Sequence, residues 1–279
     1  MELLFITNEP EIAQTAVAAG VQRIFVDLEI EGKAERQRGL NAHLSTHSQA
    51  DVARMRDAVP DATLLVRCNP LSDGSAAEVE AVLRDGADIL MLPMFHDVEE
   101  ISSFVQLVGG RAKVVGLVET PAAFARLRQI IATDHRPDEV YLGLNDLSLF
   151  MGLEFLMEPL AGGLVDHFCR EARDAGMPYG FGGVGPVGGG LVPATLILSE
   201  HVRLGSSRVI LSRAFRNSVL RPGNPDSHSR LKHEITKLFE EIATLSAMAP
   251  GEIEENRRRL MSAVGVVVRE RSARTAEKP

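Results

Sequence analysis

The sequence predicts an α/β fold, a (β/α)8 TIM barrel with extra C-terminal helices, and three observations point to it. Short apolar runs alternate with amphipathic segments from one end of the chain to the other. Eight of the runs read as strands followed by helical segments, which argues for a parallel sheet with crossover helices and, at that count, for closure. The length of 279 residues, 45% of them hydrophobic, suits one large domain of this kind. A doubly wound open sheet is the alternative.

Taken in order, Leu3 to Thr7 reads as a strand and Glu9 to Ala19 as a helix ended by Gly20. Arg23 to Leu28 is the second strand. The polar stretch from Glu29 to His47 has no clear period and carries two histidines, so it reads as a long loop of the kind that forms lids or binding segments. Helix Gln49 to Val59 and strand Thr63 to Cys68 follow, then helix Ala76 to Asp85 and strand Ile89 to Leu92. Next come helix Val98 to Val108, strand Val114 to Val118, helix Ala122 to Ala132 and strand Glu139 to Leu142. Helix Leu164 to Ala175, strand Pro178 to Phe181, helix Pro193 to Val202 and strand Arg208 to Leu211 complete the set.

Beyond the last strand, helical segments at Asp226 to Met248 and Glu252 to about Ala263 exceed the single helix that a barrel requires. Their apolar stripe of Leu231, Ile235, Leu238, Phe239, Ile242 and Leu245 is expected at a subunit boundary. The expected organisation is a barrel over 1–222, a helical extension for homo-oligomerisation over 223–265, and a disordered tail over 266–279.

Composition excludes several classes. A net charge of −8 without a basic cluster before the last turns argues against nucleic acid. Cys68 and Cys169 lie a hundred residues apart in apolar surroundings, without metal spacing or a disulfide framework, which fits a reducing compartment. No run approaches the ~18 apolar residues of a membrane span, and the N-terminus lacks a basic leader, so a cytoplasmic protein is expected.

In a barrel, chemistry sits at the C-terminal ends of the strands. The fifth and sixth apolar runs each lead into a carboxylate there, Glu119 and Asp146. As neighbouring parallel strands they would bring the two acids one or two strand spacings of ~4.8 Å apart, a gap suited to Mg²⁺ or Mn²⁺. The competing reading makes Glu119 a cap for a helix at Pro121 and Asp146 a cap for one near Leu147. Arg67, leaving the third strand, could grip a carboxylate or an oxyanion; it could equally sit in an ion pair with a rim acid. A metal beside that arginine would suit a 2-oxo acid, whose carboxylate and keto oxygens chelate the cation and acidify the adjacent carbon.

Gly180-Phe-Gly182-Gly183-Val-Gly185 fits G-x-G-x-x-G, but the prolines and glycines after it leave no helix to start there, against a dinucleotide site. Gly182 and Gly183 could cup a phosphate or let the backbone approach a substrate closely. The pair Ser212 and Arg213 could bind an anion or form a rim ion pair.

These residues carry a resemblance. Val118-Glu-Thr-Pro-Ala-Ala-Phe124, followed by Tyr141-Leu-Gly-Leu-Asn-Asp-Leu-Ser-Leu-Phe-Met-Gly152, resembles the paired signature of the HpcH/HpaI aldolase and citrate lyase β-chain family. Val26-Asp-Leu-Glu29, Arg67 and Ile89-Leu-Met-Leu-Pro-Met94 are similar to its other landmarks, in the same order, and the likeness spans roughly residues 20 to 215. The resemblance implies a barrel, trimeric or hexameric with C-terminal helix exchange, that forms or cleaves carbon–carbon bonds next to the enolate of a pyruvate-like 2-oxo acid, with an aldehyde as the other partner. It implies Mg²⁺, Mn²⁺ or Co²⁺ on Glu119 and Asp146, substrate contact by Arg67, and a carboxylate held by the backbone of Leu144 and Asn145. One departure stands out: the histidine that serves as general base in the family's pyruvate aldolases is matched by Ile30, and Asp85, matching its partner, is left without one. His43, His47, Glu29 or a metal-bound water are the replacements. The alternatives are a citryl- or malyl-CoA-type acyl-CoA lyase, and a barrel that binds a carboxylate without turning it over.

Overall fold

The computed structural model describes residues 1–30, 46–220 and 226–276. Eight parallel strands close into a barrel in chain order: β1 (Glu2–Ile6), β2 (Arg23–Asp27), β3 (Thr63–Arg67), β4 (Ile89–Leu92), β5 (Lys113–Val118), β6 (Glu139–Leu142), β7 (Tyr179–Val184) and β8 (Arg208–Leu211). The last pairs back onto the first, Leu211 beside Phe5. Around them run α1 (Pro10–Ala18), α2 (Gln49–Ala58), α3 (Ser75–Arg84), α4 (Val98–Val108), α5 (Pro121–Ala125), α6 (Leu127–Ala132), α7 (Leu144–Phe150), α8 (Glu158–Ala161), α9 (Leu164–Asp174), α10 (Ala194–Leu204), α11 (Arg213–Val219), α12 (Ser227–Ser246) and α13 (Pro250–Ala276). The closed ring decides between the two expected architectures in favour of the (β/α)8 barrel.

Successive strand residues point to opposite faces, and this period of two sorts the barrel interior into layers. Leu4, Phe25, Leu65, Ile89, Met91, Val115, Leu117 and Tyr141 fill the middle. Their strand neighbours, such as Leu3, Phe5, Ile24, Val26, Leu64 and Val66, face the helices in the larger outer core. Two positions nearer the N-terminal end, the inward faces carry Glu2, Arg23, Glu139 and Arg208. Two positions nearer the C-terminal end they carry Asp27, Arg67 and Glu119. At the N-terminal end Arg23 donates to both Glu139 oxygens, at 2.7 and 3.0 Å, and pairs with Glu2 at 2.7 Å, while Arg208 reaches Glu139 at 2.8 Å.

The strand β7 runs on to Val184, past the expected end at Phe181, because its ladder with β8 shifts register between Gly180 and Gly183. Tyr141 fills the irregularity. A β-carbon on Gly180 would stand 2.4 Å from the tyrosine ring. The ring's hydroxyl donates to Gly182 O at 2.8 Å and accepts from Ile210 N at 2.9 Å, replacing ladder bonds.

Other expectations need correction. The helix expected over 122–132 is two, broken at Arg126, so that Leu127, Ile130 and Ile131 turn onto the barrel. The helices α7, α8 and α11 have seven residues or fewer, too short to show a period. Leu231, Ile235, Leu238 and Leu245 are fully buried within the chain itself, because α12 lies over α1, α10 and α11 and supplies the ring's eighth helix. The surplus helix is α13 alone, packed on α10 and α8. It runs through Ala276, so residues 266–276, expected as a disordered tail, are helical. Arg271 anchors it, donating to Glu154 O at 2.7 Å with its guanidinium 4.9 Å above the Phe155 ring. Among the described residues no helix is long and apolar enough to cross a membrane.

Candidate active site at the C-terminal rim

Asp27 ends β2 and Arg67 ends β3, and the two are register partners. Arg67 donates through Nε and Nη2 to the two oxygens of Asp27, both at 2.8 Å, and its Nη1 lies 3.2 Å from Glu29 Oε2. Asp27 Oδ1 also accepts from Glu29 N at 3.2 Å. The guanidinium centre sits 5.7 Å from the Phe25 ring below it. Burial pulls the Arg67 pKa down, but Asp27, Glu29 and, further off, Glu119 outweigh it and secure the positive charge. Of the two readings of Arg67, the structure shows the ion pair with rim acids, at the C-terminal end of the barrel.

Glu119 follows β5 and is 2% exposed; Asp146, in the first turn of α7, is 6% exposed. Glu119 does not cap α5. Thr120 does, its hydroxyl accepting from Ala123 N at 3.1 Å. Nor does Asp146 cap a helix at Leu147, since α7 begins at Leu144 behind Gly143. Glu119 Oε1 accepts from Met94 N at 3.2 Å. Its other oxygen lies against Gly143, where a β-carbon would stand 2.7 Å from it. Burial pushes the Glu119 carboxyl well above the usual range and the nearby charge of Asp146 pushes it further; Arg67 pulls it back, Glu29 raises it, and the Met94 N–H lowers it. Asp146 Oδ1 is buried with no hydrogen-bond partner. Among the described residues no cation pairs with either acid.

Two close, buried carboxylates with an orphaned oxygen fit a hard divalent cation. Among the described residues no set of three His, Cys, Asp or Glu side chains could hold a metal, so the pair would share it with water or substrate oxygens. Two clefts lie away from the rim acids. One of about 410 Å³ opens under the N-terminal end beside Arg23 and Lys113, and one of about 440 Å³ lies beside Arg203 and Ile253; none of the rim acids lines either.

Of the expected bases, His43 lies outside the described residues. His47 Nδ1 accepts from Asp27 N at 3.0 Å, which engages that lone pair and leaves the ring proton on Nε2. Glu29 is fully buried beside Arg67. Ile30 holds its backbone to Asn69 Oδ1 at 2.9 Å and exposes its side chain. Asp85 accepts from Gln49 at 2.8 Å and Arg84 at 3.1 Å at the end of α3. Leu144 and Asn145 open α7 beside Asp146. Gly182 and Gly183 lie within β7, and α10 starts only at Ala194, so no helix takes up the glycine motif. Ser212 caps α11, accepting from Phe215 N at 3.3 Å, and Arg213 is exposed. Two contributors escaped the sequence: Met94, whose φ of 59° no motif signals, and the missing β-carbon of Gly143.

The profile of the family described as HpcH/HpaI aldolase/citrate lyase matches residues 2–158. No curated protein matches the sequence. Among solved structures, the HpcH/HpaI aldolase from Desulfitobacterium hafniense DCB-2 is similar at 15% identity and a TM-score of 0.60, covering 89% of this chain and 94% of its own. An HpcH/HpaI aldolase/citrate lyase family protein from Burkholderia cenocepacia J2315 is similar at 16% identity and a TM-score of 0.61, covering 86% and 93%. A citrate synthase covers 64% of this chain and 76% of its own at 16% identity and a TM-score of 0.52. At these identities the likeness is one of fold.

Proposed function

Since the chain belongs to the HpcH/HpaI aldolase/citrate lyase family, we propose that it is a class II carbon–carbon lyase, dependent on a divalent metal and acting next to the enolate of a pyruvate-like 2-oxo acid, with an aldehyde as the second partner. The carrying observation is the buried pair Glu119 and Asp146, neither in an ion pair among the described residues, beside a guanidinium fixed by Asp27 and Glu29. Glu119 and Asp146 would hold Mg²⁺ or Mn²⁺, with Co²⁺ as a further option. When bound, the ion would supply electron withdrawal from the keto oxygen.

The chain's own residues do the rest. Arg67 cannot rotate without breaking two bonds to Asp27, so a developing enolate oxygen beside it would meet a charge that is already fixed. The amides of Leu144 and Asn145, at the start of α7, would hold a substrate carboxylate; Gly182 and Gly183 would add backbone contacts, although the Leu144 side chain and Ser212 lie where their β-carbons would stand. Glu29, His47 and His43 are the proton acceptors to be separated by mutation. A homo-oligomer, trimer or hexamer, and a cytoplasmic setting belong to the same reading, supported by exposed Met261 and Val266 on α13 and by two buried, unpaired thiols.

A second reading is favoured by two observations: Ile30 matches the position of the base in the family's pyruvate aldolases, and His47 has its Nδ1 engaged. It is a barrel that binds a carboxylate without converting it, or an acyl-CoA lyase of the citryl or malyl type. Proton exchange separates them. With Mn²⁺ or Mg²⁺ present, the chain should exchange the methyl protons of pyruvate for solvent deuterium, read by NMR. Binding of pyruvate without exchange under Mg²⁺, Mn²⁺ or Co²⁺ would favour the binding barrel, and release of free thiol from malyl-CoA would favour the acyl-CoA lyase.

A further inference from the structure

Met94 is the one residue other than glycine with a left-handed backbone among the described residues, at φ 59°. Bulky side chains seldom adopt this conformation, and it persists only where the surroundings impose it. Here they do. The Thr120 hydroxyl, while capping α5, donates to Phe95 O at 2.8 Å. The Phe95 ring packs over Gly116 in β5, 3.4 Å from where a β-carbon would stand. Met94 itself is 8% exposed. Its backbone N–H donates to Glu119 Oε1 at 3.2 Å, and the left-handed φ turns the chain directly after that donor, where Phe95 meets Thr120 and Gly116.

On the other side of the same carboxylate lies Gly143, between β6 and α7. Its φ of −83° and ψ of 99° are open to any residue, so glycine is not required there by the backbone. It is required by space. A β-carbon would stand 2.7 Å from both Cβ and Oε2 of Glu119, closer than atoms can approach without something shifting.

We propose that Met94 and Gly143 are positioning residues that clamp the Glu119 carboxylate from opposite sides, Met94 by a backbone donor on Oε1 and Gly143 by leaving the slot that Oε2 occupies. The assignment rests on the metal reading of Glu119 and Asp146. The clamp selects one orientation of a side chain that otherwise has free rotors, and it leaves Oε2 without a hydrogen-bond donor among the described residues, with Asp146 three residues beyond the slot. This is the orienting work that outer partners do for metal-binding carboxylates.

The test is a Mn²⁺ titration of the full chain, read by the loss of free-ion EPR signal and by calorimetry, with circular dichroism to confirm folding. Gly143→Ala, whose backbone suits alanine, should weaken Mn²⁺ binding by on the order of 10–100-fold. Met94→Pro removes the donor and fixes φ near −65°, and should weaken it similarly. Met94→Gly keeps the N–H and the left-handed φ, and should retain wild-type affinity. Equal affinity for wild type and Gly143→Ala would overturn the slot while leaving the metal reading intact. A Met94→Gly chain that loses as much as Met94→Pro would overturn the donor half, because side-chain packing would then be the cause. Absence of Mn²⁺ binding by the wild type would overturn both the clamp and the metal reading.

Discussion

At the N-terminal end of the barrel two arginines and two glutamates neutralise one another, with Arg23 and Glu139 joined by two hydrogen bonds and both nearly inaccessible to solvent. At the C-terminal end, on inward faces separated from these by a single greasy layer, Arg67 is held by Asp27 and Glu29, while Glu119 and Asp146 are buried near enough for the charge of one to raise the pKa of the other. Acidic and basic side chains pair off at the first end, where Glu2 stays 40% exposed, whereas the second end buries two carboxylates that form no ion pair among the described residues. Buried charge that is satisfied within the chain is structural; buried charge that repels its neighbour is kept for something the chain does not itself contain.

The largest effect should come from the incomplete end. Asp146→Asn removes one of the two acids and is expected to lower pyruvate proton exchange by on the order of 10³-fold, since a metal ion supplies several kcal/mol at a developing oxyanion. Its folding should survive, because no hydrogen bond of Asp146 Oδ1 is lost. A destabilised variant that keeps wild-type exchange while folded would reverse the comparison.

The complete end should respond in the opposite way. Arg23→Met leaves Glu139 buried and short of its main partner, which should cost about 3–5 kcal/mol in chemical denaturation with metal affinity unchanged. A change confined to metal affinity would show that the two ends are not independent.

The smallest effect is one of pH on the metal-free chain. Glu119 has a folded-state pKa above its ordinary value of 4.5. Between the two values the folded chain holds a proton that the unfolded chain has released, so the group's contribution is greatest below 4.5 and is lost as pH rises through the raised value. Thermal melts across that window should therefore show stability falling with pH, and Glu119→Gln should flatten the slope. A slope of the other sign would mean that the acids are compensated.

Much of this was legible in the residues. Arg-Ile-Phe-Val-Asp and Leu-Leu-Val-Arg place Asp27 and Arg67 on one inward face by the period of two alone, and the paired runs before Glu119 and Asp146 placed both acids on the rim. The bidentate bond between Asp27 and Arg67 was not legible, because it joins residues 40 positions apart. Arg23 and Glu139 are 116 apart, and only closure of the ring brings them together. The backbone of Met94 could not be read at all: nothing in Leu-Pro-Met distinguishes a left-handed methionine from an extended one. Tyr141 read as a strand aromatic, and its hydroxyl gained a purpose only once β7 slipped against β8.

The closing seam between Phe5 and Leu211 has a bearing on how the protein is made. As the ribosome extrudes the chain, the first strand has its second neighbour within two dozen residues, but its other flank stays bare until the eighth strand emerges, and the side of α1 that packs on α12 stays uncovered until that helix follows. An open, sticky edge must be tolerated throughout most of synthesis. Chaperone demand during translation is thus set by the order of the strands, and a nascent chain stalled before Arg208 is the species most prone to pair with a stranger.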